Sequence, residues 1–173
     1  MNKIKINELF NFQKGSLQSS KCTAGEFIFI TASSEWKTHT NFTHDCEAII
    51  FAAGAGGSLG RTHYVNNKFI SSDLCFILTP KNQEVFPVDL FFYNLLFKSY
   101  REIIVQATKT GSSKESIGLG KFGNYELPYV EYHDQIKIKE KMIKFQHLQD
   151  NISNQLNLVN SLLDNYIYEQ LEK

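Results

Sequence analysis

The sequence predicts a mixed α+β (α/β) fold: a β-rich domain with one packed helix, followed by a long C-terminal coiled-coil helix. Three observations carry this. Up to about residue 131 the chain alternates short apolar runs with Gly, Asn and Pro punctuation, the mark of short strands and turns. Within that region one stretch, "FPVDLFFYNLLFKSYREIIVQAT", switches to helical spacing. From His133 onward there is no Gly and no Pro, and an apolar residue recurs every seventh position. The chain therefore divides into a globular domain at 1–131 and a helical appendage at 132–173.

"IKINELFNFQKG" is a short amphipathic opening that ends in Gly15. "FIFITA" (Phe27–Ala32) and "AIIFAA" (Ala48–Ala53) are continuous apolar runs of strand length, suited to strands buried on both faces. "THYVNNKFI" predicts two strands around an Asn66-Asn67 turn, because Asn tolerates left-handed backbone. "LCFIL" (Leu74–Leu78) is a further strand, closed by Pro80. Pro87 suits a first helical position, and Leu90, Phe91, Asn94, Leu95, Lys98 and Arg101 follow at helical spacing. The polar tract "KTGSSKESIGLGKFGNY" predicts a long loop holding a short strand. A helix over about Asp134 to Leu171 closes the chain. One heptad position reads Ile138, Phe145, Ile152, Val159 and Tyr166; four residues on lie Met142, Gln149, Leu156, Leu163 and Gln170. Such a helix is roughly 55 Å long at about 1.5 Å per residue, and its apolar stripe calls for a partner helix, the alternative being that it packs on its own domain.

Composition excludes several classes. At 42 % hydrophobic and 13 % aromatic, the chain is not intrinsically disordered. No apolar run approaches the roughly 20 residues that cross a bilayer, and the N-terminus lacks a signal peptide's apolar core. The expectation is a soluble, cytoplasmic protein. Cys22, Cys46 and Cys75 are far apart and odd in number, which points to buried thiols in a reducing compartment rather than a zinc site. Eighteen basic and eighteen acidic residues cancel, so any anionic partner must meet a local basic face.

One motif invites a catalytic reading. Gly56-Gly57-Ser58-Leu59-Gly60 fits the G-x-S-x-G nucleophile elbow and follows a buried strand. An elbow must open a helix, whose N-terminus helps stabilise the oxyanion. Here Arg61-Thr62-His63-Tyr64-Val65 follows, β-branched and aromatic, and reads as strand. Two of the later histidines, His133 and His147, fall at or on the coiled-coil helix. A Gly-rich turn between strands explains the pattern better. Position 59 is Leu where a dinucleotide fingerprint needs Gly, and no Gly-Lys-Ser/Thr closes a P-loop. His39, His44, Asp45 and Cys46 have ligand chemistry, but the spacing of the two histidines suits neither a helix face nor a strand face. No catalytic, metal or cofactor site is assigned.

What remains is a binding surface. Ser33, Ser34, Trp36, Lys37, Thr38 and His39 share one loop segment; Lys109, Thr110, Ser112, Ser113 and Lys114 share another. Arg61 and Thr62 sit just past the glycines, and Lys121 follows in the same polar tract. Each alone is an ordinary solvated loop residue. Together they offer cations for phosphates and hydrogen-bonding or planar groups for a groove. Lys109, Lys114 and Lys121 are the expected phosphate contacts. Trp36, Lys37, His39, Arg61 and Thr62 are expected in the groove or shaping the loops that reach it; Thr110, Ser112 and Ser113 complete the set. Ile138, Met142, Phe145, Ile152, Leu156, Val159, Leu163 and Tyr166 form the expected coiled-coil seam.

The order of segments resembles one half of a specificity subunit of a type I restriction-modification system. "IKINELFNFQKG" resembles that family's opening segment. "GEFIFITASSEWKTH" and "DCEAIIFAAGAGGSLGRTHYVNNKFISSDLCFILTP" resemble a subgroup of its target recognition domains. "VQATKTGSSKESIGLGKFGNYELPYVEYHDQIKIKEKM" resembles its closing segment, with Asp134-Gln135 where the family usually has Glu-Gln. The resemblance implies a non-catalytic subunit that reads one part of a split double-stranded DNA target. Modification (methyltransferase) subunits would carry S-adenosylmethionine and methylate adenine, and a restriction motor-nuclease would cut unmodified DNA. The long helix would act as ruler and docking surface. Such subunits usually carry two recognition domains and two helices. A chain with one of each is expected to be a natural half-subunit, a truncated product or a fragment, and a half-subunit would pair as a homodimer or with a second half-subunit. Two other readings compete: a coiled-coil interaction module without DNA binding, and a small serine hydrolase using Ser58.

Overall fold

In the computed structural model, residues 2–111 and 115–171 are described. The chain forms two compact units, one running to Gln135 and one starting at Ile136. The first opens with β1 (Lys3–Lys5), α1 (Ile6–Leu9) and β2 (Phe10–Lys14). Then come β3 (Phe27–Ile30), β4 (Lys37–His39), β5 (His44–Ala52), β6 (Thr62–Ser71) and β7 (Cys75–Pro80). The helices α2 (Leu90–Ser99) and α3 (Arg101–Thr108) follow, then β8 (Lys109–Thr110), β9 (Ser116–Ile117), α4 (Leu119–Asn124) and β10 (Glu126–Pro128). A 40-residue helix, α5 (Tyr132–Leu171), ends the described chain.

The six-stranded sheet has the order β2-β7-β5-β6-β3-β4. Its pairs are antiparallel except β3 with β6. The central strand β5 explains the continuous apolar run of the sequence. Ile49 and Phe51 point to one side, into a core with Phe10, Tyr93, Phe97, Ile104 and Phe122. Ala48, Ile50 and Ala52 point to the other, into a second core with Ile30, Val65, Phe69 and Ile77. A strand covered on both faces has no polar side to alternate with. Phe122 lies at the centre of the first core, its ring 4.2 Å from Phe51 and 6.0 Å from Phe76 and Phe97.

Several expectations are corrected. The segment read as two strands around Asn66-Asn67 is one strand, β6. Asn66 and Asn67 stand opposite Glu47 and Cys46 of β5, so a continuous ladder with a long partner overrides the local turn tendency. The stretch beginning at Pro87 is two helices. Asp89 is the N-cap of α2, accepting from the Phe92 N–H at 2.8 Å, so the helix starts beyond Pro87. Tyr100, at φ −94° and ψ 5°, separates α2 from α3. The polar tract after Lys109 holds a two-stranded ribbon and α4, whose glycines disguise a helix anchored by fully buried Phe122. Of the three thiols only Cys75 is buried; Cys22 and Cys46 are half-exposed.

The first turn of α5 belongs to the globular unit through Gln135, which is fully buried. Its amide accepts from the Asp89 N–H at 2.7 Å and donates to the carbonyls of Pro87 and Val130 at 2.9 and 2.7 Å. Beyond it, the helix exposes Phe145, Ile152, Leu156, Val159, Leu163 and Tyr166, each more than half accessible. Ile138 is exposed as well, while Met142 is half-buried. No described helix is long and apolar enough to cross a membrane.

Candidate nucleic-acid interface

The glycine loop between β5 and β6 organises the candidate residues. After Ala52 the chain turns through Ala55 in left-handed backbone, one short turn at Gly56–Ser58, and Gly60 at φ 71°. Of these glycines only Gly60 combines a left-handed backbone with a close approach. A Cβ there would lie 2.5 Å from Val105 Cγ2 of α3, whereas Gly56 and Gly57 face open space. The loop therefore closes against a helix without starting one.

Among the described contacts, no histidine or carboxylate stands within hydrogen-bond reach of Ser58 to take its proton. Its hydroxyl accepts a hydrogen bond from Arg61 Nη1 at 3.2 Å. The same nitrogen donates to the Ala32 carbonyl at 3.1 Å, so Arg61 staples the loop to the segment after β3. His63, the nearest histidine in sequence, is committed elsewhere. Its Nε2 lies 2.9 Å from the Ser33 carbonyl, and its Nδ1 accepts from the indole Nε1–H of Trp36 at 3.1 Å. Burial holds the His63 pKa below its ordinary value; Arg61 and Lys98 push the same way, against the raising effect of its backbone partners. Thr62 is buried and donates to the Asn94 carbonyl at 3.4 Å. It shapes the loop from within and does not reach a ligand.

On one flank of the loop stand Trp36, 42 % exposed, and exposed Lys37 at the start of the edge strand β4. His39, at the end of that strand, is half-buried, with Nδ1 3.1 Å from both the N–H and the carbonyl of Thr23. On the other flank, Arg101 donates from Nε to the Leu59 carbonyl at 2.8 Å and from Nη2 to the Gly57 carbonyl at 3.1 Å. Lys109 and Arg101 line one open cavity with Gly56, and Lys109 forms an ion pair with Glu115 at 2.9 Å. Thr110 donates to the Ser116 carbonyl. Lys121 is exposed on α4, whose first residue Leu119 lines another cavity with Gly54 and Leu74. Ser112, Ser113 and Lys114 lie outside the described residues.

The structure thus brings the segment around Trp36, the loop end at Arg61, and β8 around one turn. Arg101 and His63 are the tying residues that the sequence did not mark. Nothing in the spacing says that a helix-borne Arg caps two loop carbonyls. The metal-type residues do not converge: His44 uses Nδ1 on Thr43 and Nε2 on Gln13, and no group of three or more His, Cys, Asp or Glu positioned for a metal occurs among the described residues. Burial raises the Cys75 thiol to about 12, which leaves it an unreactive core group.

A family model described as "Type I restriction modification DNA specificity domain" matches residues 1–160. The crystal structure of a type I restriction-modification S subunit from M. genitalium is similar with a TM-score of 0.72 at 20 % identity, covering 95 % of this chain and 44 % of that one. The HsdS subunit from Thermoanaerobacter tengcongensis is similar with a TM-score of 0.60 at 13 % identity, covering 85 % and 37 %. A chain solved for complex assembly and conformational transition of the type I R-M system gives 0.63 at 10 % identity, covering 85 % and 38 %. The chain spans less than half the length of each of these. No curated protein matches it.

Proposed function

The chain belongs to the type I restriction modification DNA specificity domain family, and from that premise we propose that it is a sequence-reading DNA subunit that itself does no chemistry. The match over residues 1–160 carries the reading, because it spans the sheet, the glycine loop and much of α5. In this proposal the surface around the loop meets double-stranded DNA. Lys37, Lys109, Lys114 and Lys121 neutralise phosphates, and the Trp36 segment reaches a groove. S-adenosylmethionine is bound by a partner modification subunit, which methylates adenine where this chain directs it. A restriction motor-nuclease subunit joins through the same complex.

The helix supplies the second half of the proposal. A stripe of Ile138, Met142, Phe145, Ile152, Leu156, Val159, Leu163 and Tyr166 is costly to leave in water along its length. It pairs with the helix of a second recognition unit, in a homodimer or with another half-subunit, and the modification subunits dock there. A two-fold homodimer reads a two-fold symmetric, interrupted target.

Methylation-site mapping tests this. The chain is expressed with its modification subunit in a methylation-free host, and modified adenines are located. A single recurrent, interrupted motif is the expected outcome. Methylation that ignores sequence, or that is the same without this chain, refutes the proposal.

A further inference from the structure

Trp36 is the only tryptophan in the chain, and the fold invests heavily in holding it. It lies in the segment between β3 and β4, and the residue is 42 % exposed. Indole N–H is a donor only, so the 3.1 Å contact makes His63 Nδ1 the acceptor. His63 must then carry its proton on Nε2, which donates to the Ser33 carbonyl at 2.9 Å. The two rings meet edge to face, 5.7 Å apart. The segment behind them is cross-braced. Ser33 N–H donates to Thr31 Oγ1 at 3.2 Å, Ser33 Oγ donates to the Glu35 carbonyl at 2.9 Å, and Arg61 holds the Ala32 carbonyl. An exposed apolar ring with its polar edge turned inward gains only a little for folding from such fixation. It gains for recognition, because a fixed ring loses little freedom on binding. Exposed Lys37 is its neighbour, and both line an open depression of about 730 Å³ with Thr38, Cys22 and Ile28. A cation for phosphate thus stands beside a rigid apolar plane.

Resting on the DNA-reading function proposed above, we propose that the Trp36 indole is a specificity-determining contact in the groove and that His63 is its positioning residue. The apolar face suits a thymine methyl or the sugar wall, and carries no charge for phosphates. Neutral His63 accepts the indole N–H; protonated His63 presents a second N–H there and releases it. The charged groups facing His63 are Arg61 and Lys98, both of which favour the neutral ring.

The test uses the full chain, a random-sequence duplex pool, and the emission of its single tryptophan. Duplexes are selected at neutral pH with wild type, Trp36→Phe, His63→Leu and His63→Asn, and the unfolding midpoint of each variant is checked in urea. The expected result is a selected motif that Trp36→Phe relaxes at one or two positions, with about tenfold weaker binding of the wild-type winner and an unchanged salt slope. His63→Leu should follow Trp36→Phe. His63→Asn, whose amide oxygen keeps an acceptor near Nδ1, should restore neutral-pH binding. Wild-type emission and binding should both change as the pH falls below about 6.5, and both should stay flat in His63→Asn. A motif that Trp36→Phe reads unchanged, or emission whose pH response survives in His63→Asn, overturns the inference and leaves the DNA-reading function standing. A wild type that selects no motif removes both.

Discussion

Gly60 is where the fold around the candidate interface can be tested most sharply. Replacing it with Ala adds one methyl group in left-handed backbone, which costs an L-residue about 1–2 kcal/mol. The same methyl would sit 2.5 Å from Val105 Cγ2 and 3.0 Å from Arg101 Cγ, on the helix that closes over the loop. Overpacking of this kind costs about 1–3 kcal/mol. Gly60→Ala should therefore lose about 3 kcal/mol, or roughly 6–12 °C in Tm for a chain of this size. Gly57→Ala is the control, since nothing lies within 4 Å of its added methyl; it should change stability by less than about 0.5 kcal/mol. Urea unfolding followed by circular dichroism and by Trp36 emission measures both. A third variant separates the two costs. In a Val105→Ala background the nearest clash is gone and only the 3.0 Å approach to the flexible Arg101 side chain is left, so adding Gly60→Ala should cost mainly the backbone share, about 1–2 kcal/mol. Equal losses at Gly57 and Gly60, or a Gly60 loss that Val105→Ala does not reduce, would refute the close-approach argument.

Other perturbations probe the remaining links. Gln135→Leu strands the Asp89 N–H and the carbonyls of Pro87 and Val130, and should cost about 3 kcal/mol or more in urea unfolding; a loss below about 1 kcal/mol would mean water replaces the amide. Lys37→Ala combined with Lys109→Ala should flatten the salt dependence of duplex binding by about two phosphate contacts, and an unchanged slope would remove both from the interface. Ile152→Asp with Leu156→Asp should give monomeric mass by light scattering while the urea midpoint of the globular unit stays put; an unaltered oligomer would show that this seam is not the contact. His63 and His44 both have pKa values lowered by burial, so the unfolded chain takes up protons first. Their contribution to stability is complete above about pH 6.5 and is lost as pH falls through the lowered folded values. The urea midpoint should drop on that side, and less so in His63→Asn.

The candidate interface was only half legible. Trp36, Lys37 and Lys109 announce themselves as polar or planar groups in polar segments; the structure sets Lys109 in a cavity with Gly56 of the glycine loop, and Trp36 against His63 just past that loop, with Lys37 beside it in a separate depression. Thr62 looks the same in sequence, yet it faces α2 and is buried. Arg61 looks like a free cation and is spent on Ser58 and Ala32. His63 follows Ser58 by five positions, but its ring turns to the Ser33 and Trp36 side. Which way a strand residue faces depends on register, and a shift of one residue reverses it.

Sequence alone determined the strong periodicities. The Gly- and Pro-free heptads required one long helix, and the uninterrupted run of β5 required a strand covered on both sides, because backbone period and apolar pattern are local properties that no partner needs to supply. It also weighed against an elbow at Ser58, since β-branched residues follow where a helix must start. Only the tertiary structure decided that Asn66-Asn67 runs straight through β6, that α2 and α3 part at Tyr100, and that "LGKFGN" is helical. Each of those segments has weak or contrary local preference, worth a kcal/mol or so. Each is overruled by contacts with residues distant in the chain: the β5 ladder, the approach of α3 to Gly60, and the aromatic pocket around Phe122.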